Sequence, residues 1–562
     1  MRIGIVPDEI NMVSVRSVFQ VLEHTLARHH EIVRRPLEYF YASTSKQNAL
    51  NEEFVGSCDL IAGRIDEKIL TARDQIDRHP PLLGFLMGTM SRGAAEMSTW
   101  ARFLRTTDII VGNCDGDVGI TSKFFTNAQI RKLPFSIDES TFSPIDEQQR
   151  EAIRGEMRFN PSDKVLLYCG RISLEKNLHT LLRIFSVLQD LVPDIHLVVA
   201  GDPVVIQFPA MGVYPLSSTG MLMKLMNQLR IKQDQVHFIG GRGSSQLRDL
   251  YAMADVLVNF TLHHDENFGL AQVEALACGT PVIGTSWGGL KDTIKHGETG
   301  YQISTVVTGS GVKLNWWEAV NRIISLLEDE ETLARFRERS RSYALELSSP
   351  ARYAENLEAL VAEAETLSHG PSEPLKLTNF AREYWRECLP NEFSAPSFQR
   401  GRKSFEMYKE LIGPYTGRTE NTITTDEPFN PDQVLVLATP VRIEGNLAKL
   451  DDPIFPLEVV IPEANQQTAE AVLAVLKKQP VISLEALQQS LPAAVHSCLQ
   501  STLKWMLEHG IVLRSRLMDA YIEPDMIGEQ MAQPVFSIQP VDFMSDVIVI
   551  RQTGAAHSYA AT

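Results

Sequence analysis

The sequence predicts an α/β protein made of two doubly wound domains and a smaller α+β module. Three observations predict this class. The chain has 562 residues, more than the roughly 250 to 300 that one hydrophobic core supports. Short apolar runs alternate with helical patterns up to about residue 315, as in parallel sheets covered by helices. Beyond residue 430 the order changes to a strand, three helices and another strand.

The first domain is predicted over residues 1–150. Residues 3–6 form a short apolar run typical of a buried strand. The apolar positions that follow recur at helical spacing: Val15, Val18, Phe19, Leu22 and Leu26. Residues 107–113, TDIIVGN, are a further strand that enters a loop. This alternation favours a parallel sheet with helices on both faces.

The second domain is predicted over residues 151–367. Six short β-rich runs separated by helical patterns indicate a second doubly wound sheet. They lie in the segments KVLLYC, DIHLVVA, QVHFIGG, DVLVNF, TPVIGT and TGYQIS. Residues 203–220 are predicted to be a loop insertion. After Trp316 the pattern is helical to about residue 367.

The rest of the chain is predicted to be a linker and an accessory domain. Residues 368–430 are richer in Pro, Ser and Thr, and the helical stretch 379–389 within them is expected to pack back on the core. Residues 431–562 have an element order typical of winged-helix modules. Because residues 425–562 carry 8 basic and 17 acidic side chains, we expect a protein contact, dimerisation or simple packing there rather than DNA binding.

The overall composition excludes several classes of function. The net charge of -17 repels nucleic-acid phosphates and anionic lipid surfaces. Six scattered cysteines without a C-x-x-C pair predict neither a zinc site nor a disulfide framework. The chain opens on MRIGIV without a signal-like segment, and no apolar run approaches the roughly 18 residues of a membrane span. We therefore expect a cytoplasmic protein without a nucleic-acid partner.

The stretch YCGRISLEKN, residues 168–177, has the features of an anion site. Gly170 allows a tight turn after a strand, and Ser173 can cap a helix whose first N–H groups favour anions. Arg171 and Lys176 add two cations. The segment therefore indicates phosphate binding, and a surface loop with incidental charges is the alternative.

A second candidate is ENFGLAQVE, residues 266–274. Glu266 precedes a predicted helix, the amides at 268–270 are its unpaired first donors, and Glu274 lies about a turn and a half further on. Two carboxylates beside phosphate repel it unless they bind hydroxyl groups, and an ionised carboxylate accepts both hydrogen bonds of a vicinal diol. One acid is thus predicted to hold a sugar and the other a ribose. Solvated helix-cap charges are the alternative.

Three further motifs lie in the same part of the chain. VHFIGG (236–241) lies between the two candidate segments, and ACGTPVIGT (277–285) and WGGLKDTIKHGETGY (287–301) follow the second one. Residues from about 100 to 365 resemble the retaining glycosyltransferases of family 4. The resemblance implies the GT-B fold, in which two Rossmann-like domains face a cleft. It also implies that Arg171 and Lys176 bind the donor diphosphate, Glu274 its ribose and Glu266 the transferred sugar, with Gly241 and Arg242 bordering the base.

The predicted site follows from these two lines of reasoning. The donor-binding set is Gly170, Arg171, Lys176, Gly241, Arg242, Glu266, Asn267, Phe268, Gly269, Leu270 and Glu274, with Arg171, Lys176 and Glu266 as the catalytic residues. Negative charge grows on the diphosphate as the anomeric bond breaks, and two cations with helix-start amides stabilise it. No metal or other cofactor is therefore expected. In the family, retention is ascribed to front-face attack, and we favour a binding role for Glu266 over that of a nucleophile.

The predicted first domain departs from the family pattern. VPDEINMVS, after the first strand, lacks the usual glycine pair, and FLMGTMSRGAAE (85–96) has no histidine where the family often has one. The candidate replacements for sugar or acceptor contacts are Thr89, Ser91 and Arg92, and His79 is less well placed.

Two further motifs invite a metal interpretation. Asp115 and Asp117 form an Asp-x-Asp in CDGD (114–117), which we interpret as a structural or acceptor-side loop because it lies in the wrong type of domain for a metal site. His263 and His264 are adjacent, so an extended segment points them to opposite faces. We expect them to be hydrogen-bonded loop residues.

The sequence thus predicts an enzyme that moves a sugar from a nucleotide sugar to an unidentified acceptor with retention of configuration. Closure of two domains would exclude water from the reaction. The alternatives are a nucleotide-sugar epimerase or a phosphorylase on the same fold, and a non-catalytic nucleotide-sugar-binding scaffold.

Overall fold

The computed structural model describes most of the chain. The described residues are 1–8, 13–42, 44–87, 97, 99–173, 176–203, 218–262, 266–387, 402–419, 429, 433–451, 457–516, 522, 524–527 and 529–532. They form two large α/β domains and a smaller C-terminal domain.

The first domain is a six-stranded parallel sheet flanked by helices. Its strands are β1 (Arg2–Val6), β2 (Glu31–Arg34), β3 (Leu60–Arg64), β4 (Leu82–Phe85), β5 (Ile109–Gly112) and β6 (Gln129–Lys132). Its helices are α1 (Val13–Leu26), α2 (Glu38–Tyr41), α3 (Ser45–Gly56), α4 (Glu67–Asp74) and α5 (Asp115–Phe124). The strand order is β2-β1-β3-β4-β5-β6, and in the register Ile3 lies opposite Leu60. Both are fully buried, which is why these strands read as continuous apolar runs.

The second domain has the same architecture. Its strands are β7 (Lys164–Cys169), β8 (Ile195–Ala200), β9 (Val236–Phe238), β10 (Val256–Asn259), β11 (Val282–Thr285) and β12 (Gly300–Ile303). Its helices are α6 (Glu147–Glu156), α7 (Leu178–Leu191), α8 (Ser218–Gln228), α9 (Ser244–Met253), α10 (Leu270–Ala277), α11 (Leu290–Thr293), α12 (Trp316–Glu328) and α13 (Glu330–Ser348), and a hairpin of β13 (Thr305–Thr308) and β14 (Gly311–Leu314) precedes α12. The order β12-β11-β10-β7-β8-β9 is that of a Rossmann sheet. The predicted doubly wound fold is confirmed.

The helix after α13 crosses back to the first domain. Helix α14 (Pro350–Ser368) starts with proline in its first turn, after Ser349, whose side chain accepts from the Arg352 N–H. Its buried side chains Tyr353 and Leu357 belong to the same apolar cluster as Ile3 of the first sheet. The sequence assigned residues up to 367 to the second domain, because helical periodicity alone does not show which sheet covers the apolar face.

Two more helices continue the return path. They are α15 (Asn379–Glu387) and α16 (Arg402–Ile412), and a short 3-10 turn, Gly413–Tyr415, follows. Both helices pack against α5 of the first domain. The sequence predicted one helix in residues 368–430, whereas the described part contains these two.

The described part of the C-terminal domain contains two small sheets and three α-helices. Its strands are β15 (Gln433–Leu437), β16 (Val441–Glu444), β17 (Leu447–Leu450), β18 (Leu457–Val460), β19 (Val481–Ser483) and β20 (Val512–Arg516), and its helices are α17 (Gln466–Lys478), α18 (Leu484–Ser490) and α19 (Leu499–Glu508). One sheet is antiparallel with the order β19-β15-β20. Its central strand therefore comes before the helices in the chain.

This domain is joined firmly to the second domain. The Trp316 indole N–H donates to the Leu437 carbonyl at 2.9 Å, and the Asn315 side chain donates to the Ser515 hydroxyl at 2.9 Å. Arg183 and Asp451 form a buried ion pair at 3.4 Å, and burial lowers the pKa of Arg183 to about 10 although Asp451 opposes the shift.

Two further observations concern the described residues. Within them, no helix has both the length and the apolar character that crossing a membrane requires. The cysteines among them are free thiols: Cys58, Cys114, Cys169, Cys278 and Cys498.

Candidate functional site

The strand order of the second sheet creates a crevice at one edge. Strands β7 and β10 are neighbours. The strand that follows β7 in the chain, β8, lies toward one edge of the sheet, and the strand that follows β10, β11, lies toward the other edge. The loops that follow them therefore separate and leave a crevice at the carboxyl ends, where ligands bind in folds of this kind. The loops are tied at their base, since the Asn177 side chain donates to the Phe260 carbonyl at 2.8 Å.

The loop after β7 is held tightly by its own strand and by β8. The Tyr168 hydroxyl donates to the Arg171 carbonyl at 2.8 Å, which fixes the turn and leaves Arg171 half-buried at the crevice. A Cβ on Gly201 would lie 1.9 Å from the Gly170 carbonyl oxygen. The close approach of these two loop backbones therefore requires glycine at position 201.

Lys176 and Glu266 meet in the crevice and form an ion pair. Their side chains are 17% and 14% exposed, so the pair is sheltered yet reachable. The sequence assigned them to different parts of a ligand, diphosphate and sugar, and the structure places them side by side. A ligand that carries phosphate next to hydroxyl groups can engage both ends of this pair.

The segment that carries Glu266 is shaped by two glycines. The Gly289 N–H donates to the Glu266 carbonyl at 2.7 Å, and a Cβ on Gly289 would lie 2.2 Å from the carbonyl carbon of Asn267. Gly269 precedes α10 with a φ of 84°, a backbone conformation that favours glycine. Leu270 is the first residue of α10. The first N–H groups of this helix have no carbonyl partner within the helix, and they lie at its crevice end.

Glu274 lies on α10 and contacts Tyr251. The Tyr251 hydroxyl donates to the Glu274 carboxylate at 2.9 Å and lies 3.1 Å from the Cys169 sulfur. Burial raises the pKa of Glu274 to about 7, and the hydrogen bond from Tyr251 partly opposes this shift. Sequence reasoning missed Tyr251, because an aromatic residue in a helical pattern before DVLVNF has the appearance of ordinary core.

The predicted base-side loop is organised by Asp202. The Gly241 N–H donates to the Asp202 carboxylate at 2.7 Å, and a Cβ on Gly241 would lie 2.4 Å from that carboxylate. Arg242 is exposed, and its guanidinium donates to the Gly241 carbonyl at 3.0 Å. Asp202 was also missed, although it directly follows a predicted strand.

The side chains of Asn267 and Phe268 make contacts within the protein. Asn267 donates to the Leu86 carbonyl at 3.0 Å and to the Asn113 side chain at 2.8 Å, both in the first domain. Phe268 is buried and packs edge-on against Phe135 at 5.4 Å between ring centroids. Their side chains therefore serve packing and domain contact, whereas the backbone between them remains at the crevice.

The CDGD segment starts α5 and has protein partners. Asp115 pairs with Lys132 at 2.6 Å, its N–H donates to the Asp292 carboxylate at 2.6 Å, and buried Asp117 accepts from the Tyr415 hydroxyl at 2.7 Å. Within the described ranges, no three His, Cys, Asp or Glu side chains come together as a metal-binding group.

Several sequence-predicted residues lie outside the described residues: Thr89, Ser91, Arg92, His263 and His264. His79 is described and lies in the segment after α4 of the first domain, where its ring contacts the Arg73 carbonyl at 3.1 Å.

Together, the two Rossmann-like sheets and the crevice on the second one define the class of this protein, which has the GT-B fold. Among solved structures, Anabaena Alr3699/HepE in complex with UDP matches with a TM-score of 0.50 and 15% identity over 64% of this chain and 99% of that one. A glycosyltransferase from Rickettsia africae ESF-5 matches with a TM-score of 0.51 and 14% identity, covering 66% and 99% of the two chains. These likenesses concern the fold.

Residues 149–343 match the family model of the glycosyl transferases group 1, so the second domain carries the sequence features of that family. The D-inositol 3-phosphate glycosyltransferase of Mycolicibacterium gilvum (strain PYR-GCK) is 33% identical over 169 residues, which are 29% of this chain and 33% of that protein. The N-acetyl-alpha-D-glucosaminyl L-malate synthase of Bacillus anthracis is 30% identical over 220 residues, 39% and 50% of the two chains. The chain thus spans about a third to a half of the length of these curated relatives.

Proposed function

We propose that the protein transfers a sugar from a nucleotide-sugar donor to an acceptor with retention of anomeric configuration. The observation that carries this proposal is the meeting of Lys176, Glu266 and the start of α10 at the switch point of the second sheet. A cation, a carboxylate and helix-start amides there suit a diphosphate that is joined to a sugar. The family match over residues 149–343 supports the same class of chemistry.

Each group in the crevice has a part in the proposed reaction. The bond from the anomeric carbon to the diphosphate oxygen breaks, and Arg171, Lys176 and the α10 amides stabilise the negative charge that the leaving diphosphate gains. The acceptor oxygen forms the new bond on the same face, and its proton goes to a diphosphate oxygen. Glu266 binds sugar hydroxyls and Glu274 binds the ribose. These residues supply the charge stabilisation themselves, so we propose a reaction that needs no metal.

The proposal is tested by ligand binding to the full chain. UDP-glucose, GDP-mannose and ADP-glucose are added separately in a thermal unfolding assay, because a ligand of the native state raises the unfolding temperature with the logarithm of its excess. We expect one of them to stabilise the protein and to be hydrolysed slowly without an acceptor. UDP-glucose is the first probe, since Alr3699/HepE was crystallised with it.

Analysis of the products formed from the same nucleotide sugars separates the alternatives. An epimerase would isomerise the nucleotide sugar without any acceptor, and a phosphorylase would require orthophosphate. A nucleotide-sugar-binding scaffold would bind without any turnover.

The C-terminal domain, winged-helix-like in its element order, is proposed to hold a protein partner or a second copy.

Donor affinity is expected to rise as the pH passes through neutrality. Burial raises the pKa of Glu274 to about 7, so the carboxyl is largely protonated at lower pH and ionises as the pH passes that value. If the ribose is bound by the ionised form, affinity rises about tenfold between about pH 6 and about pH 8. Calorimetric titration of the best donor over this range measures the effect.

Tyr251→Phe tests the origin of that pH dependence. It removes the hydrogen bond that lowers the pKa of Glu274, so we expect the midpoint of the affinity profile to move to higher pH. Tyr353→Phe, which changes a buried tyrosine on α14, is the control and should leave the profile in place. A midpoint that does not move would contradict the role of Tyr251.

A further inference from the structure

Tyr415, in the turn after α16, inserts against the first domain. It is 1% exposed, and its hydroxyl donates to Asp117, which is fully buried, at 2.7 Å. Its ring lies on Gly116, where a Cβ would come within 2.1 Å of a ring carbon. A side chain at position 116 would collide with this ring, so the contact with Tyr415 requires glycine there.

Tyr415 also binds the second domain. Its carbonyl accepts the Gly288 N–H at 2.9 Å, and the next N–H along the chain, that of Gly289, donates to the Glu266 carbonyl at 2.7 Å. The ring of Tyr415 lies 6.0 Å from that of Trp287, which is fully buried. A continuous series of contacts therefore runs from the first domain through Tyr415 to the backbone of Glu266.

Asn267 makes a second, direct connection. It is the neighbour of Glu266 in the chain, and its side-chain amide donates both to the Leu86 carbonyl and to the Asn113 side chain. Leu86 and Asn113 follow strands β4 and β5, so both acceptors lie at the carboxyl edge of the first sheet. The segment with Glu266 is thus fastened to the first domain from two sides.

We propose that Asn113, Asp117, Asn267 and Tyr415 form an interdomain clasp that holds Glu266 in position for the sugar part of a donor. This inference rests on the proposed function. It makes Asn267 and Tyr415 positioning residues, because they act on Glu266 through the backbone and through the first domain. Loosening the clasp should weaken recognition of the sugar, whereas the nucleoside diphosphate keeps its proposed contacts with Arg171, Lys176 and the first N–H groups of α10, which all belong to the second domain.

Two full-length variants test the clasp, Tyr415→Phe and Asn267→Ala. Calorimetry compares their binding of the nucleotide sugar that best stabilises the wild type with their binding of the matching nucleoside diphosphate. We expect about tenfold weaker binding of the nucleotide sugar and less than about twofold change for the diphosphate. Tyr353→Phe removes the hydroxyl of another buried tyrosine, outside the clasp, and should change neither affinity.

Gly116→Ala provides an independent variant. On a helix without a close neighbour this change is stabilising by up to about 1 kcal/mol, whereas here the added Cβ has to displace Tyr415. We therefore expect the same selective loss of nucleotide-sugar affinity as in Tyr415→Phe.

The outcomes are distinct. Equal losses for both ligands, or no loss for either, would overturn the positioning role while leaving the proposed function in place. A wild-type protein that binds the diphosphate and none of UDP-glucose, GDP-mannose and ADP-glucose would overturn the proposed function, and the clasp's role toward a sugar with it.

Discussion

Glu274→Gln is expected to weaken donor binding about 100-fold at about pH 8. At that pH the wild-type carboxyl is ionised, since its pKa is raised by burial to about 7. Hydrogen bonds to a charged acceptor contribute about 1.5 to 3 kcal/mol each, and a ribose diol would donate two of them. Glutamine has one acceptor oxygen and no charge, so most of this contribution is lost.

The substitution is chosen so that the fold survives. The glutamine carbonyl can still accept the Tyr251 hydroxyl that now donates to Glu274 at 2.9 Å, and the side-chain volume is unchanged. Glu338→Gln, an exposed position on α13 of the same domain, is the matched control and should bind the donor normally. Affinity is measured by calorimetry with the donor that stabilises the wild type most, and wild-type affinity in Glu274→Gln would refute the ribose role.

Much of the fold could be predicted because it is encoded locally. The six β-rich runs of the second domain correspond to the strands β7 to β12. Inner strands such as β7 and β10 are the most apolar of them, because both of their faces are buried. The order of the strands in the sheet could not be predicted from such local patterns. The crevice between β7 and β10 depends on the reversal of chain direction along the sheet, which the resemblance to a known fold supplied and periodicity did not.

Contacts between distant segments could not be predicted in the same way. Asn113 and Asn267 are 154 positions apart in the chain, and Asp117 and Tyr415 are 298 apart. Nothing in CDGD indicates a tyrosine partner, because a buried carboxylate can be satisfied by any donor that the fold brings to it. The sequence assigned Asp117 to a structural or acceptor-side loop, and the structure was needed to identify its partner.

The candidate site shows the same division. Arg171, Lys176, Glu266 and Glu274 were predicted from motifs that combine charge with helix starts, and the structure pairs Lys176 with Glu266 and links Glu274 through Tyr251 to Cys169 at the end of β7. The ion pair between Lys176 and Glu266 was not foreseen, since opposite charges in separate motifs gave no sign of their distance. The pair neutralises both charges, so a donor that binds either group has to replace this contact with its own.

Asp255→Ala is expected to cause the largest loss of stability among the changes considered. Asp255 precedes β10 and is 6% exposed. Its carboxylate pairs with Arg150 at 2.6 Å, Arg154 at 2.9 Å and Arg337 at 3.3 Å, and accepts the Val165 N–H at 2.8 Å. Removing it leaves the buried Arg154 guanidinium without its anion and takes one partner from the partly buried Arg150 and Arg337, which costs about 3 to 5 kcal/mol.

The pH dependence of this network has a definite sign. Burial alone would raise the pKa of Asp255, but Arg154, Arg337 and Arg150 outweigh it, so the pKa lies below its ordinary value. The stabilisation is therefore fully present above the unfolded-state pKa of about 3.9 and is lost as the pH falls toward the lower folded-state value.

Chemical denaturation followed by circular dichroism at about pH 7 measures the stability that Asp255→Ala loses. Glu151→Ala, at an exposed position on α6 beside Arg150, is the control and should change the free energy of unfolding by less than about 0.5 kcal/mol. An Asp255→Ala variant as stable as this control would show that the three arginines do not depend on Asp255.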